Sequence, residues 1–316
     1  MYYIGIDVGG TNLAAGLVDA EGHIRHKLSR PVDRSMTADG LCLELAQLAG
    51  EVCAAANVDQ SRIGAVGAGF PGLVDNDSGV VIRTPNMPFR NTRFRELFQR
   101  IWDAPVYLGN DANCAAIGEY WAGAAKGCDP VVVVTLGTGI GGGMVSGGKL
   151  FAGYAGSGME IGHMIIHPDG PLCGCGSHGC WEQYGSATAL IRLTQQEMQR
   201  NAHSILWELC GGDIRQVQGR TAFQGARLGD PSARRVLDQY LKGLAVGLVN
   251  LVNILHPQVI CLGGGISNAE DSLLLEPLRA MVLQNSYDKA NPTRLVKAAL
   301  GNDAGIVGAA LLCNMV

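Results

Sequence analysis

The chain has 316 residues, 47% of them hydrophobic and 16% charged, which indicates about two globular domains and excludes a disordered protein. Its net charge of −4 and its pI near 6.0 provide no basic surface for nucleic acid. No stretch reaches the roughly 18 uncharged apolar residues of a membrane helix, and the first residues lack the pattern of a signal peptide, so we expect a cytoplasmic protein without a membrane partner.

The first part of the chain alternates strand-like and helical patterns. Gly9 and Gly10 form a tight turn between two apolar runs, and a third, alternating run follows, as in an antiparallel meander. The predicted strands lie at residues 2–7, 13–18, 23–29, 63–69 and 106–109, and the predicted helices at 41–56, 94–101 and 112–122.

The second part begins beyond residues 123–130, where small and turn-forming residues mark a domain boundary. Residues 151–185 lack periodicity and are rich in Gly, Cys and His, which is typical of an irregular functional segment. The predicted strands lie at 131–136, from 144 onward and at 259–262, and the helical patterns at 186–256 and 305–313. The strand, glycine-rich turn and strand at 131–144 repeat the pattern at 4–18, which indicates two related halves.

Two glycine-rich turns have the composition of phosphate-binding loops, because bare backbone lets phosphate oxygens approach its N–H groups. Each contains one threonine, and Asp7 before the first turn can hold a hydrated Mg²⁺. Either turn alone is also compatible with an ordinary hairpin, but the pair favours a nucleotide. The first turn fits neither the P-loop nor the strand-to-helix Rossmann pattern. The residues are Asp7, Gly9, Gly10, Thr11 and Asn12 in the first turn and Gly137, Thr138 and Gly139 in the second.

Asn110 and Asp111 stand where a predicted strand ends and a helix begins. Ligands of open α/β sheets gather at the carboxyl ends of strands. An aspartate there can accept a hydroxyl proton as a general base while the asparagine holds the same substrate by hydrogen bonds. Asn and Asp are equally favoured as helix N-caps, so the spacing leaves both interpretations open.

Ten cysteines are present, of which seven are scattered and typical of buried free thiols. The other three, Cys173, Cys175 and Cys180, follow His163 closely, with glycines between them. Three thiolates and one imidazole suit a closed, structural Zn²⁺ site, although free thiols remain an alternative. His167 and His178 are rival ligands in the same segment.

Two glutamates, Glu160 and Glu182, flank this cysteine cluster. A metal that pins the segment would place both carboxylates rigidly, as the recognition of hydroxyl groups requires. Solvated surface glutamates are the alternative. Farther along, Gly264 and Gly265 follow a strand, where bare backbone would let a flat base or ribose lie close.

Together these motifs resemble the ROK family, a group named for repressors, reading frames and kinases. The resemblance covers nearly the whole chain, and the cysteine motif is its most specific part. The motifs are Asp7-x-Gly-Gly-Thr-Asn12, Gly69-Phe-Pro-Gly72, Thr84-Pro-Asn86, Gly109-Asn-Asp-Ala112, Leu136-Gly-Thr-Gly-Ile-Gly141, Glu160-x-Gly-His163, Cys173-Gly-Cys-Gly-x-x-Gly-Cys-x-Glu182 and Leu262-Gly-Gly-Gly265.

The resemblance implies an α/β fold of the actin, hexokinase and Hsp70 kind, with two domains that face each other across a ligand cleft. A small domain would comprise residues 1–122, completed by a C-terminal helix at 303–316. A large domain, 123–302, would carry the zinc loop. The implied activity is ATP-dependent phosphorylation of a hexose, and glucose is favoured by the segment Thr84-Pro-Asn86 and the pair of flanking glutamates.

The resemblance also implies roles for individual residues. Asp111 would be the catalytic base, and His163 would hold zinc with one ring nitrogen and face the sugar with the other. The implied sugar contacts are Asn86, Asn110, Glu160, His163 and Glu182; the zinc ligands are His163, Cys173, Cys175 and Cys180; the phosphate loops include Gly9, Gly10, Thr11, Thr138 and Gly139; and the adenosine side has Gly264 and Gly265.

Several alternatives stay open at the level of sequence. Kinases for N-acetylmannosamine, allose, fructose and N-acetylglucosamine share almost all of these motifs. A sugar-sensing regulator without turnover would keep the fold, although Asp111 and both glycine turns argue against it. A zinc module for nucleic acid is opposed by the acidic pI. The family leans toward dimers, so we expect a homodimer.

Overall fold

The computed structural model describes residues 1–33, 35–85 and 87–315. The chain forms two compact units. The first comprises Met1–Val133, Gly143–Met159 and the segment from Ala298 onward, and the second comprises Val134–Gly142 and Glu160–Lys297. Within the described residues, none of the helices combines the length and the apolar character that crossing a bilayer requires.

Strands and helices alternate along the chain. The strands are β1 (Tyr2–Val8), β2 (Asn12–Asp19), β3 (Ile24–Pro31), β4 (Ile63–Phe70), β5 (Leu73–Asp75), β6 (Val80–Arg83), β7 (Arg90–Thr92), β8 (Val106–Asn110), β9 (Val131–Leu136), β10 (Ile140–Ser146), β11 (Lys149–Leu150), β12 (Val259–Gly263) and β13 (Arg294–Lys297). The helices are α1 (Ala38–Ala55), α2 (Phe94–Gln99), α3 (Asp111–Ala122), α4 (Glu182–Gly185), α5 (Ala187–Arg200), α6 (Leu206–Leu209), α7 (Gly219–Arg227), α8 (Pro231–Leu255), α9 (Leu275–Asn285) and α10 (Ala304–Ala310).

The main sheet of the first unit has the strand order β3-β2-β1-β4-β8. The predicted meander is confirmed, because β1 pairs antiparallel with β2 and β2 with β3. Strands β1, β4 and β8 run parallel, and their registers pair Asp7 with Gly69 and Gly69 with Gly109. The carboxyl ends of these three strands therefore meet at one edge of the sheet, and Asp7 and the start of α3 lie at that edge.

Side chains that alternate along β1 separate the two faces of this sheet. Ile4 and Ile6 are fully buried in a core that includes the apolar side of α1. On the other face, Gly5 stands beside Gly67 in the register, and a Cβ atom on Gly5 would collide with the backbone of α10. Helix α10 can thus approach the sheet only because small residues leave it room.

A second sheet has the strand order β11-β10-β9-β12-β13, with β12 and β13 parallel. The long helix α8 begins after Asp230, whose carboxylate accepts a hydrogen bond from the N–H of Ala233 at 2.7 Å. Trp181 is fully buried against this helix, and its indole N–H donates to the carbonyl of Gly243 at 3.1 Å. Helix α8 therefore anchors the chain directly after the last cysteine of the cluster.

Some predicted boundaries differ from the structure. The second strand after the glycine-rich turn begins at Ile140 and not at 144, because glycines continue the strand where Gly143 lies against the backbone of Ala112. The C-terminal helix is shorter than predicted and ends at Ala310. The sequence patterns also missed the short strands β5, β6, β7, β11 and β13 and the helix α9.

The segment Gly143–Met159 belongs to the first unit, whereas the predicted boundary puts it in the large domain. A Cβ atom on Gly156 would lie 2.7 Å from the carbonyl oxygen of Val74, and Leu150 donates its N–H to the carbonyl of Met315 at 3.4 Å. These contacts are with β5 and with the C-terminal segment, so the composition shift at 123–130 does not coincide with the change of unit.

Candidate active site

The first glycine turn connects β1 to β2 as predicted. Gly9 donates its N–H to the carbonyl of Asn12 at 3.0 Å, and a Cβ atom on Gly9 would lie 2.9 Å from that oxygen. Gly10, Thr11 and Asn12 are exposed. The carbonyl of Thr11 accepts from the N–H of Val32 at 2.9 Å, which ties the turn to the end of β3. The turn is therefore a rigid, exposed backbone loop.

Asp7 lies just before this turn, at the edge where the parallel strands end. A Cβ atom on Gly305 would stand 2.9 Å from the carboxyl carbon of Asp7, so only glycine fits at that position of α10. Burial, together with the negative charge of Asp111, raises the pKa of Asp7 from 3.8 to about 6. A carboxyl held in this way accepts a cation readily, because the cation removes both causes of the shift.

Asn110 and Asp111 mark the junction of β8 and α3. The side-chain oxygen of Asn110 accepts from the N–H groups of Ala112 at 2.9 Å and Asn113 at 3.3 Å, so the N-cap interpretation is confirmed for this residue. Its amide nitrogen donates to the carbonyl of Gly72 at 3.0 Å, which leaves one N–H for a ligand. Asp111 is exposed in the first helical turn, where the helix dipole favours negative charge.

The second glycine turn, in the second unit, is held by the start of α5. The carbonyl of Gly137 accepts from the N–H of Ala187 at 2.9 Å, and the carbonyl of Thr138 accepts from the hydroxyl of Thr188 at 2.7 Å. The N–H of Gly137 donates to the carbonyl of Gly139 at 3.0 Å, which closes the turn, and the side chain of Thr138 is exposed. This arrangement suits an anion.

Glycines after β12 lie beside the end of β9. Gly264 has a φ of 82°, and a Cβ atom there would lie 2.5 Å from the carbonyl oxygen of Leu136, so glycine is required on both counts. Gly265 is exposed and has open space where a side chain would stand. The backbone here forms a bare surface directly next to the second glycine turn.

The cysteine cluster assembles as the spacing predicts. The ligand atoms of His163, Cys173, Cys175 and Cys180 all lie within 4.8 Å of one another. The sulfur of Cys173 is 3.6 Å from Nδ1 of His163, and the sulfurs of Cys175 and Cys180 are also 3.6 Å apart. The N–H of Ser177 lowers the pKa of the Cys175 thiol to about 7, which favours the thiolate that metals bind.

The rival histidines of this segment have other contacts. Nδ1 of His178 lies 3.0 Å from the carbonyl oxygen of Gly170, and the ring of His167 lies 6.4 Å from that of Tyr184. Within the part of the chain that the structure describes, the compact Cys and His group contains His163 and neither of the two rivals. One imidazole and three sulfurs fit the donor set and the four-ligand shell of a structural Zn²⁺ site.

Glu182 has a contact that the sequence did not reveal. One carboxylate oxygen accepts from the N–H of Ile140 at 3.1 Å, and the other lies 3.8 Å from the sulfur of Cys173. A Cβ atom on Gly139 would collide with the same carboxylate. Glu182 thus connects the cysteine cluster to the second glycine turn, whereas Glu160 is exposed before a short 3₁₀ turn.

The structure brings the predicted site residues together within each unit. Asp7, the first glycine turn and Asp111 share one sheet edge, and the second turn, Glu182 and the cysteine cluster adjoin in the second unit. Asn86, a predicted sugar contact, lies outside the described residues. Gly305 beside Asp7 was missed, although the small residues Ala304, Gly305 and Gly308 at helical spacing were a signal for close helix packing.

The chain is similar over nearly its whole length to known sugar kinases. The chain is 36% identical over 309 residues to the glucokinase of Thermotoga maritima, which covers 97% of this chain and 95% of the relative. It is 37% identical over 324 residues to the glucokinase of Streptomyces coelicolor, with 98% and 97% covered. A solved structure of a ROK family glucokinase from Streptomyces griseus, in complex with glucose and AMPPNP, superposes with a TM-score of 0.83 at 36% identity over 99% of both chains.

The fold is that of the actin- and hexokinase-like ATPases, to which these sugar kinases belong. The sequence profile of the ROK family matches residues 3–315. The chain therefore belongs to the ROK family, as its motifs indicated.

Proposed function

We infer that the protein is an ATP-dependent sugar kinase that converts glucose to glucose 6-phosphate. The observation that carries this inference is the exposed carboxylate of Asp111 beside Asp7 at one sheet edge, in a chain 36–37% identical to glucokinases over almost its whole length. The structural relative that binds glucose and AMPPNP supports both the sugar and the nucleotide.

Asp111 is proposed as the general base. It would accept the proton of the sugar hydroxyl while that oxygen forms a bond to the terminal phosphorus of ATP and ADP leaves. The N–H of Ala112 donates to one oxygen of its carboxylate at 2.9 Å, which orients the group at the start of α3. The asparagine before it, Asn110, keeps one N–H with which to hold the same sugar.

Asp7 is proposed to hold Mg²⁺, and its environment fits that role. A nearly buried carboxyl next to another carboxylate has its pKa raised to about 6, and a bound cation would relieve both the burial and the repulsion. When bound, Mg²⁺ supplies positive charge for the phosphate oxygens. The side chain of Asp7 itself is fixed by β1 and by the close approach of Gly305.

The glycine turns are proposed to bind phosphate through their backbone. In the first unit, Gly9 closes the turn, and the exposed residues Gly10, Thr11 and Asn12 would supply backbone N–H groups and a hydroxyl. In the second unit, the turn that begins at Gly137 would supply the N–H groups of Thr138 and Gly139 and the threonine hydroxyl, while Gly264 and Gly265 would provide the bare surface for adenosine. The exclusion of side chains is what lets backbone donors reach the phosphate oxygens.

The cluster of His163, Cys173, Cys175 and Cys180 is proposed to hold a structural Zn²⁺, which would cross-link the loop without taking part in the chemistry. The loop then presents Glu160, His163 and Glu182 to the sugar. Asn86 is kept as a further predicted contact, and the homodimer and the cytoplasmic location also stay predictions.

The test is ADP release with Mg-ATP from glucose, mannose, fructose, allose, N-acetylglucosamine and N-acetylmannosamine. Turnover with glucose that disappears in Asp111→Asn supports the proposal. Turnover with another hexose alone would replace glucose as the substrate. Binding of a sugar without any turnover would favour a sugar-sensing regulator and would contradict the role given to Asp111.

A further inference from the structure

Glu119 is a fully buried carboxylate in α3, two helical turns after Asp111. It accepts three hydrogen bonds from backbone N–H groups, those of Ala124 at 2.8 Å, Ala299 at 3.0 Å and Leu300 at 2.8 Å. Buried carboxylates without such partners are strongly unfavourable, so the three donors define one arrangement of the surrounding chain. No arginine or lysine pairs with Glu119 in the described residues.

The residues that Glu119 binds hold a special place in the chain. Ala299 and Leu300 belong to the first residues after the chain re-enters the first unit at Ala298, and α10 follows four residues after Leu300. The position of Ala299 and Leu300 therefore sets where α10 starts. They stand between β13 and a 3₁₀ turn, Gly301–Asp303.

Helix α10 packs tightly between the two elements that carry the aspartates. Against α3, a Cβ atom on Gly118 or on Gly308 would collide with backbone of the other helix. Against β1, Gly5 collides in the same way, and Gly305 lies directly on the carboxyl group of Asp7. With no side chains as spacers, a small shift of α10 moves α3 and β1 relative to each other.

We propose that Glu119 is a positioning residue for phosphoryl transfer, which fixes the start of α10 and thereby the separation of Asp7 and Asp111. This inference rests on the proposed kinase function, because it assigns those two carboxylates to the reaction. Misplacement of a reacting group by about 1 Å costs on the order of 100-fold in rate, so a residue that never touches substrate can control turnover.

Glu119→Gln is the decisive variant, because the amide has one acceptor oxygen and its NH₂ group faces at least one backbone N–H. The matched control is Asp230→Asn in the second unit. Asp230 likewise accepts from backbone N–H groups, those of Ile205 at 3.1 Å and Ala233 at 2.7 Å, and touches neither aspartate in the described contacts. Each variant replaces a carboxylate that accepts hydrogen bonds from backbone N–H groups by an amide, so a difference in turnover between them reports on position.

Steady-state kinetics are measured on folded protein, verified by circular dichroism. We expect kcat of Glu119→Gln to fall about 10- to 100-fold while KM for glucose and for ATP changes less than about threefold, and Asp230→Asn to retain kcat within about twofold. Equal kcat values for the two variants would overturn the inference. Where Glu119→Gln does not fold, Gly123→Ala replaces it. Its Cβ would lie 2.1 Å from a carboxylate oxygen and 2.8 Å from the Cα atom of Glu119, at a φ of −107° that alanine adopts.

Hydrogen exchange provides a readout that needs no activity. Backbone amides in peptides covering residues 5–9 and 111–117 should exchange faster in Glu119→Gln than in the wild type. In Asp230→Asn their exchange rates should equal those of the wild type. Unchanged exchange in Glu119→Gln removes the positioning role even if the wild type is an active kinase. Absence of wild-type turnover with every sugar removes the proposed function, and the exchange comparison still decides whether Glu119 holds the aspartate-bearing segments.

Discussion

The two units place their functional groups by different physical means. In the first, Asp7 and Asp111 stand at the ends of parallel strands of one sheet. Glycines let α10 pack closely against β1 and α3, the two elements that carry these aspartates. In the second, Glu182 begins the short helix α4 directly after the irregular cysteine loop, and one hydrogen bond from Ile140 connects it to the second glycine turn. Regular structure positions side chains through its register, whereas an irregular loop needs a cross-link to reach the same rigidity.

The largest expected effect tests the first region. Asp111→Asn should lower kcat by about 10²- to 10⁴-fold, because an amide cannot accept the hydroxyl proton, with little change in KM for glucose. Steady-state kinetics check this expectation. Asp103→Asn, a change of the same type at an exposed loop residue, should leave kcat unchanged. Retention of kcat within about tenfold would mean that another group is the base.

The second prediction tests the zinc cross-link proposed for the second unit. Cys180→Ser should abolish stoichiometric zinc, measured by atomic absorption, and lower kcat/KM for glucose by about 10- to 100-fold as the loop loses its order. Cys313→Ser, outside the cluster, should leave zinc and activity unchanged. A Cys180→Ser variant with full activity would show that hydrogen bonds alone hold the loop.

The third prediction concerns the cost of keeping Asp7 charged, buried and beside Asp111 at the sheet edge. The folded-state pKa of Asp7 is raised from 3.8 to about 6, so the native state binds more protons between these values and stability falls as pH rises through them. Asp7→Asn should therefore stabilise the protein by about 1–3 kcal/mol at pH 7.5 and by almost nothing near pH 3.5, while removing activity.

Urea unfolding of both proteins at the two pH values checks this difference. Saturating Mg-ATP should reduce the difference in unfolding free energy at pH 7.5, because a cation beside Asp7 stabilises the charged carboxylate of the wild type. A destabilised Asp7→Asn variant at pH 7.5 would show that the carboxylate makes a favourable contact in the absence of the ion.

The smallest expected effect comes from a variant that tests the contact between Glu182 and the second glycine turn. Gly139→Ala places a Cβ atom onto the Glu182 carboxylate and should break its bond to Ile140, lowering kcat/KM about tenfold with little change in stability. Gly174→Ala in the cysteine loop, where a Cβ meets open space, is the matched control. Equal kcat/KM values for the two variants would show that the contact between the glycine turn and Glu182 does not affect catalysis.

Much of this could be predicted from the amino-acid sequence. The meander at the start, the helices at 41–56 and 112–122 and the ROK family resemblance are confirmed by the structure and the comparisons. The Cys and His group was also predictable, because ligand spacing within one short segment is a local property. The short strands β5 to β7 were not, since three or four residues carry too little periodicity to stand out.

What the sequence determined by itself was chemical type: which loops are bare enough for phosphate, which residues can take a proton and which can hold a metal. What only the tertiary structure decided was which of these residues contact one another. The pairing of Asp7 with Asp111 and Gly305, the bond from Ile140 to Glu182 and the grip of Glu119 on Ala299 and Leu300 all join residues far apart in the chain. Such contacts follow from strand register and helix packing, which no local pattern encodes.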